Sequence, residues 1–121
     1  MKKKVFGIGL VFLMLSANFA FAISAAELSR SLENGLRASE SAVNASRSWS
    51  NADQANAGWD RYSSQINQAE SAIQDAENYE STNGSLNPTW QRQVNQIKAN
   101  LRQIKNKMSA FGIPTYWAID L

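Results

Sequence analysis

The carboxylates are the side chains of this chain best suited to catalysis, because it contains neither cysteine nor histidine. Their absence excludes thiol nucleophiles, histidine-based triads and ordinary zinc sites. Asp75, Glu77 and Glu80 are near enough in sequence to suggest an acid and base pair or a calcium site. Helical spacing directs them apart, however, and no loop has EF-hand spacing. We therefore expect no catalytic residue, no metal site, no cofactor and no enzymatic activity.

Aromatic side chains form the first candidate binding surface. They lie toward predicted helix ends that meet at one end of a bundle with alternating helix directions. Such surfaces bind partner proteins, peptides or sugar rings. The alternative is that the apolar C-terminal tail folds back as a lid and that the aromatics fill space, and we favour this role for the tail. We call the set the aromatic pole, and its members are Trp49, Trp59, Tyr62, Phe111, Tyr116 and Trp117.

Basic side chains form the second candidate surface. Residues 88–111 contain five basic residues and no acidic one, and Lys98, Arg102 and Lys105 share one flank of a helix. This basic flank could bind anionic lipids or polymers. The alternative, which we favour, is pairing within the molecule, with Glu70 level with Lys98 in an exposed or half-exposed ion pair. Nucleic acid is not expected, because the aromatics lie on the seam and are not free to stack on bases.

The first 22 residues match a secretory signal peptide. Residues 2–4 are lysines, residues 5–15 are apolar, and Ala20 and Ala22 provide the small residues of a cleavage site. An uncleaved membrane anchor is the alternative, but the apolar stretch falls short of the roughly 20 residues that span a bilayer. We predict cleavage after Ala22, a periplasmic or secreted bacterial protein, and no transmembrane span in the mature chain.

Export changes the size and charge to be explained. Removing 22 of the 121 residues leaves 99, enough for a single domain, and without cysteine it must be held by apolar packing. Three of the 12 basic residues leave with the signal peptide, so nine remain against 10 acidic residues and the net charge becomes −1.

Local signals mark where helices begin and end. Ser24 and Glu27 have the spacing of a capping box, and Asn87 before Pro88 is typical of a helix N-terminus. Gly112 suits the left-handed position that ends a helix. These signals predict three helices at about residues 24–48, 51–79 and 88–111, followed by an apolar tail over residues 112–121.

The apolar periodicity predicts how the helices pack. The third helix has an uninterrupted seam, and steps of three and four residues favour left-handed packing near 20°. We therefore expect an all-α fold: an antiparallel up-down-up three-helix bundle with coiled-coil-like seams. The break between residues 48 and 52 is the weakest boundary, and an unbroken first helix in a dimeric four-helix assembly is the alternative. We favour the monomer. The seam consists of Trp90, Val94, Ile97, Leu101, Ile104, Met108 and Phe111.

The functional expectation is a non-enzymatic protein-binding module of the bacterial envelope, such as an inhibitor, immunity protein or adaptor. Its expected partner is another protein, with an envelope glycan or anionic lipid as alternatives. A binder of anionic surfaces through the basic flank is the second hypothesis, and a self-assembling structural subunit is the third.

Overall fold

The computed structural model describes residues 23–121, so the predicted signal peptide lies outside the described residues. This part of the chain is all-helical, as expected, but it contains four helices, so the expected number of three is wrong. None of the four is both long and apolar enough to cross a membrane. The helices are α1 (Ala25–Ser46), α2 (Ala52–Arg61), α3 (Ser63–Asn83) and α4 (Pro88–Ala110).

Polar side chains satisfy the backbone at three helix N-termini. The Ser24 hydroxyl accepts a hydrogen bond from Glu27 N–H at 3.1 Å, and the Glu27 carboxylate accepts one from Ser24 N–H at 3.0 Å. The predicted capping box is therefore confirmed. Asn51 accepts from Gln54 N–H at the start of α2, and Asn87 caps α4 in the same way.

The second predicted helix is divided at Tyr62, which has φ −102° and ψ 13° instead of α-helical values. The hydrogen bonds on both sides persist, since Tyr62 N–H donates to Gly58 O and Ile66 N–H donates to Tyr62 O, both at 2.9 Å. The backbone therefore departs from α-helical geometry at Tyr62 while these hydrogen bonds continue across it. No proline marks this position, and the apolar spacing runs through it unchanged, so the sequence pattern gives no sign of the break.

Helix α3 extends to Asn83, whereas the second predicted helix was expected to end near Tyr79. Side chains in this extension donate hydrogen bonds to helix carbonyls: Ser81 to Asn78 O, and Asn83 to Tyr79 O. These bonds prolong the helix until Gly84, whose φ of 90° ends it.

The end of α4 is a Schellman motif, as predicted. Gly112 has φ 75°, and its N–H donates to Ser109 O at 2.9 Å. Ile113 N–H donates to Met108 O at 3.0 Å. Both bonds of the motif are present, and the chain leaves the helix at this point.

Helix α1 packs most extensively against α3 and next against α4. The approach of α1 to α3 is closest at Gly35, where an added Cβ would overlap the Cβ of Ala72 and lie 3.6 Å from the Ala69 Cα. Only a glycine permits this spacing without displacement of a helix. The largest fully buried apolar side chains are Leu28, Leu32, Ile66, Ile73, Ile97, Leu101, Ile104 and Met108.

A buried polar contact joins α1 to α4 within this core. Asn100 Nδ2 donates to Ser39 Oγ at 3.0 Å, and Ser39 Oγ donates to Leu36 O at 2.9 Å. Gln96 Nε2 donates to Asn100 Oδ1 at 3.0 Å. Because an unpaired buried amide is costly, this contact favours one register between the two helices.

Candidate binding surface at the aromatic pole

Trp49 is the buried member of the aromatic pole. It is 7% exposed and belongs to the core, although it lies in the connection between α1 and α2. Its indole lies on Gly58, where an added Cβ would overlap the ring atoms Cε2 and Cζ2. Glycine in α2 therefore lets the indole lie directly against the helix backbone. A partner could not contact the Trp49 ring without moving it out of the core. We therefore infer that Trp49 positions α2 and does not bind the partner directly.

The indoles of Trp59 and Trp117 form the centre of the pole. Their ring centroids are 5.3 Å apart and the rings meet edge to face at 82°. This geometry is favourable for two aromatic rings because the positive edge of one faces the negative face of the other. Tyr62 and Phe111 are also half-buried and pack against the common core. The contact joins the C-terminal tail to α2.

Residues 113–121 form a non-helical segment with a bend at residues 118–119, which we call the C-terminal strap. Its residues alternate strictly, with odd-numbered residues half-buried and even-numbered residues exposed. Ile113, Trp117 and Ile119 pack against the core, and Trp117 Nε1 donates to Thr115 Oγ1 at 2.8 Å. Tyr116 points away and is 85% exposed, the exposed large hydrophobic side chain of residues 23–121. The tail therefore covers the bundle and presents one aromatic ring to solvent.

Glu70 of α3 holds the strap through its carboxylate, which accepts a hydrogen bond from Ala118 N–H at 2.6 Å. The side chain is only 7% exposed. Burial raises the pKa of Glu70 above its ordinary value of 4.5, and the bond from Ala118 opposes that increase by the smaller amount. The expected exposed ion pair of Glu70 with Lys98 is therefore wrong. Residue spacing placed Glu70 beside the seam but could not predict that the tail would cover it.

The basic flank lies on α4 with unequal exposure. Arg102 is exposed, whereas Lys98 and Lys105 are half-buried. A long lysine side chain can bury its methylene groups while its charge stays in water, so half-burial leaves these charges available. Near the end of α4, Lys107 Nζ lies 6.0 Å from the centre of the Phe111 ring, at the edge of the aromatic pole.

A second aromatic contact joins α3 and α4 beside the loop at residues 84–87. Tyr79 and Trp90 meet edge to face with centroids 5.3 Å apart. Sequence reasoning missed this pair, since it assigned Trp90 to the α4 seam and used Tyr79 only as a helix end. Their positions on either side of one short connection were the available signal. The pair closes the end of the bundle where α3 meets α4.

A surface groove with a volume of about 460 Å³ lies between α1 and α4. Gln93 Oε1 is buried nearby and has no hydrogen-bond partner among the described residues. Because that oxygen is inaccessible, a molecule in the groove could not bond to it without rotation of the Gln93 side chain. The groove is lined by Leu36, Thr89, Arg92, Gln93, Asn95 and Gln96.

In residues 23–121 no three acidic side chains come together as a metal site would require. Comparison of the chain with protein-family models, curated proteins and solved structures gave no match. The functional proposal therefore depends on the surface and its chemistry.

Proposed function

We propose that the mature chain is an exported, non-enzymatic protein-binding module of the bacterial envelope, of an inhibitor, adaptor or immunity type. Its binding surface is the aromatic pole, with Tyr116 as the first contact and the Trp59 and Trp117 pair beside it. Another protein is the partner.

The exposure of Tyr116 carries this proposal. A tyrosine that is 85% exposed gains more than most residues from burial in an interface, because its ring is apolar and its hydroxyl can still bond. Its neighbour Trp117 is anchored on Trp59, so the backbone that presents Tyr116 is held in place. The ring of Tyr116 is therefore accessible for the first contact with a partner.

The expected up-down-up order and the coiled-coil-like seam of α4 belong to this proposal. Between α1 and α3, a higher residue number on one helix meets a lower number on the other, as in the contacts of Ser31 with Asp75 and Gly35 with Ala72. Between α1 and α4, the numbers rise together. These contacts support a bundle in which α2 and α3 together form the second rod.

Site-specific photocrosslinking tests the proposed surface. A photoreactive phenylalanine at position 116 of the full chain, expressed in a bacterial host, should crosslink one defined envelope protein. The matched control is the same residue at position 91, where Gln91 is exposed on α4 away from the pole. Equal crosslinking from both positions, or none from position 116, would contradict the assignment.

A binder of anionic surfaces is the second candidate, and one observation favours it. Glu70, the acid expected to neutralise Lys98, bonds to the strap instead. Cosedimentation with vesicles tests this function: binding to anionic vesicles should weaken steeply as salt rises, while neutral vesicles should not bind. Replacing Lys98 and Arg102 with glutamine should abolish the binding, and Arg92→Gln, elsewhere on α4, should preserve it. Salt-independent binding would exclude this function.

A further inference from the structure

The strap is attached to the bundle by side chains more than by its backbone. Among the described residues, Ala118 N–H is the only backbone donor after Ile113 with a hydrogen-bond partner in the protein, and the partner is Glu70. Helices α1, α3 and α4, in contrast, are held by continuous backbone hydrogen bonds and by the buried core. A segment with few backbone bonds opens at a lower free energy than the whole fold. The strap is therefore the segment of the bundle best suited to detach alone.

The carboxylate at this attachment point is unusual because the strap covers it. Contact with Ala118 at 2.6 Å places backbone directly on an acid that water would otherwise solvate. A buried carboxylate is costly when ionised unless it gains enough hydrogen bonds or an opposite charge. Here a single amide, that of Ala118, donates a hydrogen bond to the carboxylate. This bond supports closure of the strap, but the cost of burying the ionised carboxylate is larger and opposes closure.

Charges on the surrounding elements do not relieve this cost. The surrounding elements carry charged side chains: Asp120 on the strap, Arg61 on α2, Arg37 on α1 and Lys98 on α4. None of them contributes to the raised pKa of Glu70, which has two causes: burial, which raises it, and the Ala118 amide, which lowers it by less. The raised pKa of Glu70 is thus caused by its own burial and not by a network of charges.

We propose that the C-terminal strap is a releasable cover over Trp59 and Glu70, and that ionisation of Glu70 weakens its closure. The inference depends on the proposed function only for what the cover controls, which is the access of the protein partner to the aromatic pole. When the strap leaves, the half-buried rings of Trp59 and Trp117 join Tyr116 as contact surface.

The direction of the pH effect follows from linkage. The pKa of Glu70 is raised with the strap closed, and it returns toward 4.5 when release exposes the carboxylate to water. Closure is therefore favoured most at a pH below 4.5 and loses that advantage as the pH rises through the higher value of the closed form. At a pH above that value, protonation of Glu70 no longer contributes to closure.

Hydrogen exchange of the full chain measures this opening. The opening constant of the Ala118 amide, corrected for the intrinsic pH dependence of exchange, should rise between acid and neutral pH. Glu70→Gln keeps an oxygen acceptor for Ala118 N–H and removes the charge, so its Ala118 amide should exchange several-fold more slowly at neutral pH and its opening constant should show no pH dependence. Asp75→Asn is the matched control, because Asp75 is also a carboxylate on α3 whose pKa is raised by burial, but it accepts its hydrogen bond from Ser31 of α1. This control should leave strap exchange unchanged.

The outcomes separate the proposed latch, by which we mean the pH-dependent closure of the strap over Glu70, from the proposed function. The latch is overturned if the opening constant of the parent chain does not depend on pH. It is also overturned if the parent and Glu70→Gln exchange equally. If the variant folds poorly, the pH dependence of exchange in the parent alone decides the question. With the latch established, crosslinking from position 116 should fall in Glu70→Gln. An unchanged yield would show that the partner does not need an open strap, whereas no crosslink in any chain would refute the proposed surface alone.

Discussion

Replacing Gly58 with alanine should destabilise the protein even though alanine is the better helix former. The substitution gains about 1 kcal/mol of helix propensity in α2. Its methyl group, however, would overlap Cε2 and Cζ2 of the Trp49 ring. Trp49 is a rigid, 7% exposed side chain, so the overlap should cost near the upper end of the about 1–3 kcal/mol typical of overpacking. We expect a net loss of about 1–2 kcal/mol.

Thermal and urea unfolding, followed by far-UV circular dichroism, measure this loss. Each kcal/mol should lower the melting temperature by about 4–8 °C for a domain of this size. Ala57→Gly measures the propensity contribution alone, because Ala57 is the exposed neighbour of Gly58 on α2. In a Trp49→Leu background, which removes the ring atoms, Gly58→Ala should become neutral or stabilising.

Two results would refute the reasoning about Gly58. Gly58→Ala could be as stable as the parent while Trp49 is present, which would mean that the indole does not lie on the α2 backbone. Alternatively, the loss could be equal with and without the Trp49→Leu substitution, which would assign it to α2 itself and not to the indole.

Four further substitutions test the packing of the helices and the carboxylate of Asp75. Gly35→Ala should cost about 1–3 kcal/mol because its methyl group meets the Ala72 Cβ, and adding Ala72→Gly should restore most of the loss in urea unfolding. Leu101→Ala should cost about 2–5 kcal/mol as a buried deletion. Gln93→Ala should change the free energy of unfolding by no more than about 0.5 kcal/mol, because it removes a buried oxygen that has no partner. If Leu101→Ala melts like the parent, the buried face of α4 is misassigned. Burial raises the pKa of Asp75 above 3.8, so its ionisation weakens the fold as the pH rises. The melting temperature of Asp75→Asn should therefore exceed that of the parent by an amount that grows from acid to neutral pH. A difference in melting temperature that stays constant across pH would contradict burial as the cause.

Helix ends were predictable where the signal is local. The bonds of the Ser24 cap and of the Gly112 stop join residues no more than five apart, and residue types at those distances are visible in the sequence. The extension of α3 to Asn83 was missed for a related reason. Side chains such as Ser81 can bond either to a turn or to preceding helix carbonyls, and the sequence alone does not choose between them.

The candidate surface was predictable only in part. Apolar periodicity correctly indicated that Leu101 and Ile104 are buried, because a helix face repeats at a fixed interval. It did not distinguish the buried Trp49 from the exposed Tyr116, since both are aromatic residues outside the helices. Export, the protein partner and the binding role of the pole stay predictions.

By itself, the sequence determined the all-helical class, the helix caps and the apolar faces, since each depends on neighbours within one or two turns. Only the tertiary structure decided that α2 and α3 separate at Tyr62, that Trp49 rests on Gly58, and that Glu70 receives the Ala118 amide. Glu70 and Ala118 are 48 residues apart in the chain. Their contact exists because an apolar tail must cover some surface, and the packed helices determine which surface is available.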